Sequence, residues 1–257
     1  VIVLSGLRFR WPGAAADTLA IDHLDIAAGE AVFLHGPSGC GKSTLLGLLA
    51  GVLLARPGAV NVLGQDWAAL PAGRRDRQRA DQVGFIFQQF NLLPYLSVRD
   101  NVLLPCRFSQ QRARRAGVLN AAAEALLQRV GLAPALWSVP AGALSVGQQQ
   151  RVAAARALIG TPSLVIADEP TSALDAALRD SFMDLLLGAC RGAGSTLVFV
   201  SHDERLAERF DRRISLPEIN KAVPPGSWRG PSAGPLPSRP AIPSGDRPTY
   251  PSDEGLK

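Results

Sequence analysis

Residues 31–50 read AVFLHGPSGCGKSTLLGLLA. The apolar run Ala31-Val32-Phe33-Leu34 has the composition of a short buried strand and stops at Gly36. The loop Gly36-Pro37-Ser38-Gly39-Cys40-Gly41 follows, and helical spacing resumes at Lys42-Ser43-Thr44 with Leu45, Leu46, Leu48 and Leu49 behind it. The pattern is G-x-x-x-x-G-K-S set between a strand and a helix, the context that separates a phosphate-binding P-loop from a chance string. Its glycines let successive backbone N–H groups turn inward, and the helix N-terminus adds a field that favours anions. Lys42 is then expected to reach the β- and γ-phosphates, and the Ser43 hydroxyl a Mg²⁺ ion.

Composition sets wide bounds around this stretch. The 257 residues are 47% hydrophobic and 19% charged, ordinary for a globular protein with one sizeable core. No uninterrupted apolar run approaches the roughly 18 residues of a membrane span. The first residues, VIVLSGLRFRW, alternate from Leu7 to Trp11 and read as a strand, without the layout of a signal peptide. Cys40, Cys106 and Cys190 are widely spaced and odd in number, which argues against a disulfide frame or a zinc site and fits a reducing compartment. The net charge is +5 and residues 221–257 hold five Lys/Arg against three Asp/Glu, too mild and scattered for a nucleic-acid footprint. The arginine-rich stretches at 74–79 and 112–115 read as solvated faces.

Along the chain, residues 1–30 read as two or three strands, with a second strand at 20–26. Trp11, at the end of an edge strand, can stack on a flat heterocycle or simply pack there. Val83-Gly84-Phe85-Ile86-Phe87 is a β-prone run ending at Gln88, within reach of a metal or an attacking water. Ser97-Val98-Arg99-Asp100 reads as a capping box. Residues 110–130 carry helical spacing through Val118, Ala122, Leu126 and Val130, and 89–160 reads as a mostly helical subdomain within an α/β core. At Leu144-Ser145-Val146-Gly147-Gln148, Ser145 and Gly147 open another helix, either as a second anion site or as an ordinary N-cap. The strand Leu164-Val165-Ile166-Ala167 delivers Asp168 and Glu169 at its C-terminal end, where α/β sheets place their chemistry. Asp168 can hold Mg²⁺ through water, and Glu169 can accept a proton from water. Thr196-Leu197-Val198-Phe199-Val200 ends in Ser201-His202-Asp203, placing His202 to sense a γ-phosphate. Residues 213–216 suggest a final edge strand. From 219 to 257 Pro, Gly and Ser dominate, and the composition is that of a disordered tail.

Taken in order, GPSGCGKS, Gln88, LSVGQQQR, LVIADEP, SALD and SHD resemble the motif series of an ATP-binding-cassette nucleotide-binding domain over residues 1–218. The resemblance implies a P-loop NTPase fold: a RecA-like core, an N-terminal antiparallel β subdomain and the inserted α-helical subdomain. It implies that Trp11 stacks on adenine and that Gly36, Pro37, Ser38, Gly39, Cys40, Gly41, Lys42, Ser43 and Thr44 wrap the phosphates of ATP. Ser43, Gln88 and Asp168 would serve Mg²⁺, Glu169 would be the general base, and His202 would meet the γ-phosphate. Ser145, Gly147 and Gln148 would act on the ATP of a second subunit in a head-to-tail homodimer, with Asp175 at that interface. Val146 departs from the family, which most often has Gly there.

The stretch FIFQQFNLLPYLSVRDNVLLP is similar to ATPases that pair with permeases of the lipoprotein-releasing and macrolide-export type. Its apolar residues Phe90, Leu92, Leu93 and Tyr95 are expected to be exposed for docking that partner. The function so implied is ATP hydrolysis that energises a membrane permease, from a cytoplasmic position on the inner face of the membrane, with no nucleic-acid partner. The rival from another class is an ABC ATPase acting on DNA or ribosomes, which usually shows two cassettes or a coiled-coil insertion. A third, a non-hydrolysing ATP binder, sits poorly with an intact Glu169 and His202. Cys40, near a helix N-terminus, is expected to have a lowered thiol pKa and to be alkylatable, with ATP protecting it.

Overall fold

Alternation of apolar and polar residues in β1 (Ile2–Phe9) buries Ile2, Leu4 and Leu7 on one face. The computed structural model describes residues 1–172, 174 and 176–222. β1 pairs antiparallel with β2 (Leu19–Ile26) on one side and β4 (Val60–Val62) on the other, with β5 (Gln65–Asp66) outermost, giving the order β2-β1-β4-β5. β1 is therefore an interior strand. β4 covers β1 only along Ile2–Leu4, so the half of β1 that leads to Trp11 pairs with β2 alone.

The second sheet is parallel, in the order β6-β7-β8-β3-β9. Its strands are β3 (Ala31–His35), β6 (Val83–Ile86), β7 (Leu164–Asp168), β8 (Thr196–Val200) and β9 (Arg212–Ser215), the last on the edge. The central strands are near-continuous apolar runs because both faces are covered. Alternate residues serve different layers. Val32, Leu34, Ile166 and Val198 pack with α1 (Lys42–Leu49) and the antiparallel sheet. Phe33, Val165, Leu197 and Phe199 pack with α7 (Ala176–Ala193).

Between β6 and β7 the chain inserts α3 (Val98–Phe108), α4 (Gln110–Ala116), α5 (Leu119–Arg129) and α6 (Val146–Leu158), which share their own core of Val98, Val102, Leu127 and Val152. The helical spacing over 110–130 is broken. Gly117 takes φ 70°, and Val118 is 75% exposed where that spacing would put it on an apolar face. A left-handed glycine ends α4 and lets α5 restart at a new angle. Gly84 of β6 sits so close to α6 that a Cβ there would lie 2.3 Å from the Ala157 carbonyl oxygen, so glycine is what allows this approach. An arginine-rich helix, α2 (Ala72–Gln82), leads into β6.

The fold carries past residue 218. After the short α8 (Leu216–Ile219), Asn220 is buried, accepts a bond from the Ala20 N–H at 2.8 Å and donates to the carbonyls of Thr18 and Cys40. It thereby ties the start of β2 to the P-loop. Of the tail expected over 219–257, residues 223–257 lie outside the described residues, as does Asp175. No described helix is long and apolar enough to cross a membrane.

Candidate active site

The C-terminal ends of β3, β6 and β7 converge on one cavity of about 390 Å³. It is lined by Trp11, Ser38, Gly39, Gly41, Lys42, Ser43, Thr44, Gln88, Asp168 and Glu169, ten of the residues singled out in the sequence. Thr18, which carried no signal of its own, joins them from the loop before β2. Gly36, Pro37 and Cys40 form the back of the loop instead. The carbonyls of Gly36 and Pro37 accept from Lys42 Nζ at 2.8 and 3.0 Å.

Loop geometry explains the glycines. Gly41 has φ 104°, and a Cβ there would come within 2.7 Å of Leu19 Cδ2, so both conformation and space demand glycine. α1 starts at Lys42 with no side-chain cap, which leaves its first N–H groups directed into the loop. Trp11 is 44% exposed, meets Phe9 edge-on at 5.4 Å, and donates from Nε1 to Thr44 Oγ1 at 3.4 Å. The indole is thus fixed over the helix start with much of its surface open.

The acidic pair sits where β7 ends. Burial and the neighbouring Glu169 carboxylate push the Asp168 carboxyl up, against the pull of Lys42 and a hydrogen bond with Ser43. Glu169 adopts φ 45°, a left-handed conformation that costs a non-glycine residue about 1 kcal/mol or more. Its N–H bonds the Val200 carbonyl at 3.0 Å, which anchors the turn. His202 Nδ1 lies 3.3 Å from Glu169 Oε2 across a second, smaller cavity of about 260 Å³. Below it Arg179 and Arg205 bind Asp203 at 2.6 and 2.8 Å and hold its carboxyl down at about 2, Arg205 being the larger influence.

Ser145, Gly147 and Gln148 are not part of this cavity. They open α6 as a reciprocal capping box, in which Ser145 Oγ accepts from the Gln148 N–H and Gln148 Oε1 accepts from the Ser145 N–H. Ser145 and Val146 are exposed.

Two expectations fail. Cys40 is only 2% exposed, and burial pushes its thiol up, outweighing the lowering by Lys42 and a backbone hydrogen bond. Sγ packs behind the loop against Gly36, and the desolvation this brings outweighs the field of the helix terminus. In the loop after Gln88, Phe90 is 7% exposed and packs into the core, while Leu92 and Leu93 are half-buried; only Tyr95, at 74%, is openly exposed. The cause is a clasp that sequence reasoning missed. Arg156 on α6 donates both guanidinium nitrogens to the Phe90 and Asn91 carbonyls, and Asn101 caps the Leu93 turn, pulling the loop inward. A lone arginine in the alanine-rich AAARAL face of α6 was the available signal.

A parallel sheet whose first strand enters a glycine-rich loop and helix, with an acidic pair at a neighbouring strand end, defines a P-loop nucleoside triphosphatase. Within that class, the ABC transporter family model matches residues 19–172, and the chain belongs to this family of transporter ATP-binding subunits. It is an ATPase. Subunits of the family dimerise and pair with membrane permeases. The lipoprotein-releasing system ATP-binding protein LolD of Anaeromyxobacter dehalogenans is 44% identical over 219 residues, covering 84% of this chain and 90% of that protein. The uncharacterized ABC transporter ATP-binding protein YbbA of Escherichia coli is 43% identical over 193 residues, covering 75% and 83%. Among solved structures, the dimeric post-hydrolysis state of the ATP-binding cassette MJ0796 bound to ADP and Pi matches with a TM-score of 0.73 at 33% identity, covering 84% of this chain and 94% of that one. The family and these relatives give no support to action on DNA or ribosomes.

Proposed function

We propose that two copies of this chain close head to tail on two ATP molecules and so drive a permease of the lipoprotein-releasing or macrolide-export type from the cytoplasmic face of its membrane. The observation that carries this reading is the one-sided cavity, which gathers Lys42, Ser43, Gln88, Asp168 and Glu169 while the Ser145–Gln148 capping box opens α6 outside it, with Ser145 and Val146 exposed. Trp11 would stack on adenine, and residues 36–44 would wrap the phosphates. Lys42 would turn from its loop carbonyls to the β- and γ-oxygens. Ser145, Gly147 and Gln148 of the opposing copy would supply the missing wall, with Asp175 beside them.

The oxygen donors of Ser43, Gln88 and Asp168 suit Mg²⁺, which takes few protein ligands and shares phosphate oxygens. A cation there would also offset the burial that raises Asp168. When bound, Mg²⁺ would neutralise charge on the β- and γ-phosphates. Glu169 would align and deprotonate water, oriented by its strained turn and by His202, which would also meet the γ-phosphate.

A separate apolar groove of about 830 Å³, lined by Val52, Phe85, Phe87, Leu104 and Phe108, also includes Ser43 and Asp168. That continuity supports the groove, rather than Phe90, as the seat for the permease, since a segment docked there would feel changes at the phosphate site. The test is Glu169→Gln with ATP, read by light scattering after size exclusion. A stable dimer is expected, and a monomer at saturating ATP would overturn the clamp. Affinity capture from detergent-solubilised membranes should retain an integral-membrane permease of the stated type, and recovery of another class would overturn the subtype.

A further inference from the structure

The arginine-rich stretches at 74–79 and 112–115, separate in sequence, come together in the fold; the solvated face expected of them excludes Arg112, which is 2% exposed and donates to the Ala157 carbonyl at 2.9 Å. α2 packs on α4, Ser109 at the start of α4 donates to Asp81 on α2, and Arg115 reaches Gln82. Residues 72–116 hold nine arginines and three aspartates; with Arg112 buried and Arg99 paired with Glu124, seven arginines face three aspartates, a surplus of four positive charges in a chain whose net charge is +5. The three aspartates are already engaged: Asp76 with Arg79 at 3.1 Å, Asp81 with Ser109, and Asp100 with Arg107 at 2.9 Å. Arg74, Arg77 and Arg114 are exposed and have no ion-pair partner among the described residues.

These side chains surround shared space. Arg77, Arg107 and Arg114 line a cavity of about 560 Å³, and Arg74 and Arg77 line a neighbouring one of about 310 Å³. Arg77 and Phe108 also border the apolar groove, and Phe108 is 75% exposed. Gathered like charges repel one another, so the surface favours an external polyanion. Guanidinium forks match phosphate oxygens. Long side chains with apolar stems beside an exposed aromatic are what sits at a lipid interface.

We propose that this surface binds anionic phospholipid headgroups of the membrane that holds the permease. The proposal uses the permease reading of the adjoining groove only to place the surface near a membrane. Its test contains no permease, so the two readings fail separately.

The full chain is sedimented with vesicles of phosphatidylcholine alone and with vesicles of phosphatidylcholine and phosphatidylglycerol. The expected result is selective binding to the anionic vesicles that weakens as salt is raised. The triple variant Arg74→Gln, Arg77→Gln, Arg114→Gln should lower the partition coefficient about 10²-fold, at the usual strength of basic residues near an anionic leaflet. Its thermal midpoint, set by a core these exposed residues do not enter, should be unchanged. The lipid and salt dependence of the wild-type protein judges the proposal independently of any variant. Equal binding to both vesicle types, or a triple variant that binds like wild type, overturns it. So does absence of vesicle binding together with loss of permease capture by the triple variant, which would assign the surface to acidic residues of the protein partner.

Discussion

His202 Nδ1 stands 3.3 Å from Glu169 Oε2, although 33 residues separate them in the chain. The two are brought together because β7 and β8 are neighbours in register, Asp168 opposite Val200, and each strand ends by releasing one of these side chains. Glu169 is 20% exposed and His202 67%, so the acid is held in the wall and the imidazole stands at the opening. His202→Ala should lower kcat about 10²-fold, in the range for losing a positioned acid–base partner, with little change in nucleotide affinity. A variant that loses ATP binding and retains turnover would place the histidine in ground-state recognition instead.

The Arg156 clasp makes a different claim, about loop position. Both of its terminal nitrogens are spent on the Phe90 and Asn91 carbonyls, and burial alone lowers its pKa. Arg156→Lys keeps the charge but loses the fork. It should cost about 1.5–3 kcal/mol of stability and speed amide exchange in the loop after Gln88. An unchanged urea midpoint with unchanged exchange would show that the clasp does not hold the loop.

Asp168 is held in a state that favours function over stability. Its carboxyl is raised by burial and by Glu169, so ionising it in the folded chain costs more than in the unfolded one. That penalty is absent where Asp168 is protonated in both states; it grows as pH rises above the unfolded pKa and is complete above the raised folded one. Asp168→Asn should therefore raise the thermal midpoint of the nucleotide-free protein at neutral pH, with the gain shrinking toward acid. The same variant should lose Mg²⁺-dependent hydrolysis. A midpoint that falls at neutral pH would refute the assignment of cost.

The thiols offer a direct check on burial. Cys40, Cys106 and Cys190 are all buried with raised pKa values, Cys190 pushed up to about 12. Reaction with a chromogenic disulfide should be slow in the folded protein and complete in guanidinium. Rapid labelling of Cys40 in native protein would restore the reactive-thiol reading.

The residues that announce themselves in the sequence are those whose role follows from local backbone. The loop at 36–43 needs its glycines in any surroundings, Asp168 and Glu169 follow an apolar strand, and Ser145 caps a helix whose pattern begins beside it. Order and spacing along one chain suffice for such features. Tertiary structure alone decided where Phe90 points, because that depends on an arginine 66 positions away. It decided that Cys40 is shielded, since desolvation by packed neighbours outweighs the pull of Lys42. It also decided that two arginine-rich stretches come together, through the packing of α2 on α4. Short-range geometry and chemical type are written in consecutive residues. Burial, charge balance and the meeting of distant side chains are set by neighbours that only the folded chain supplies.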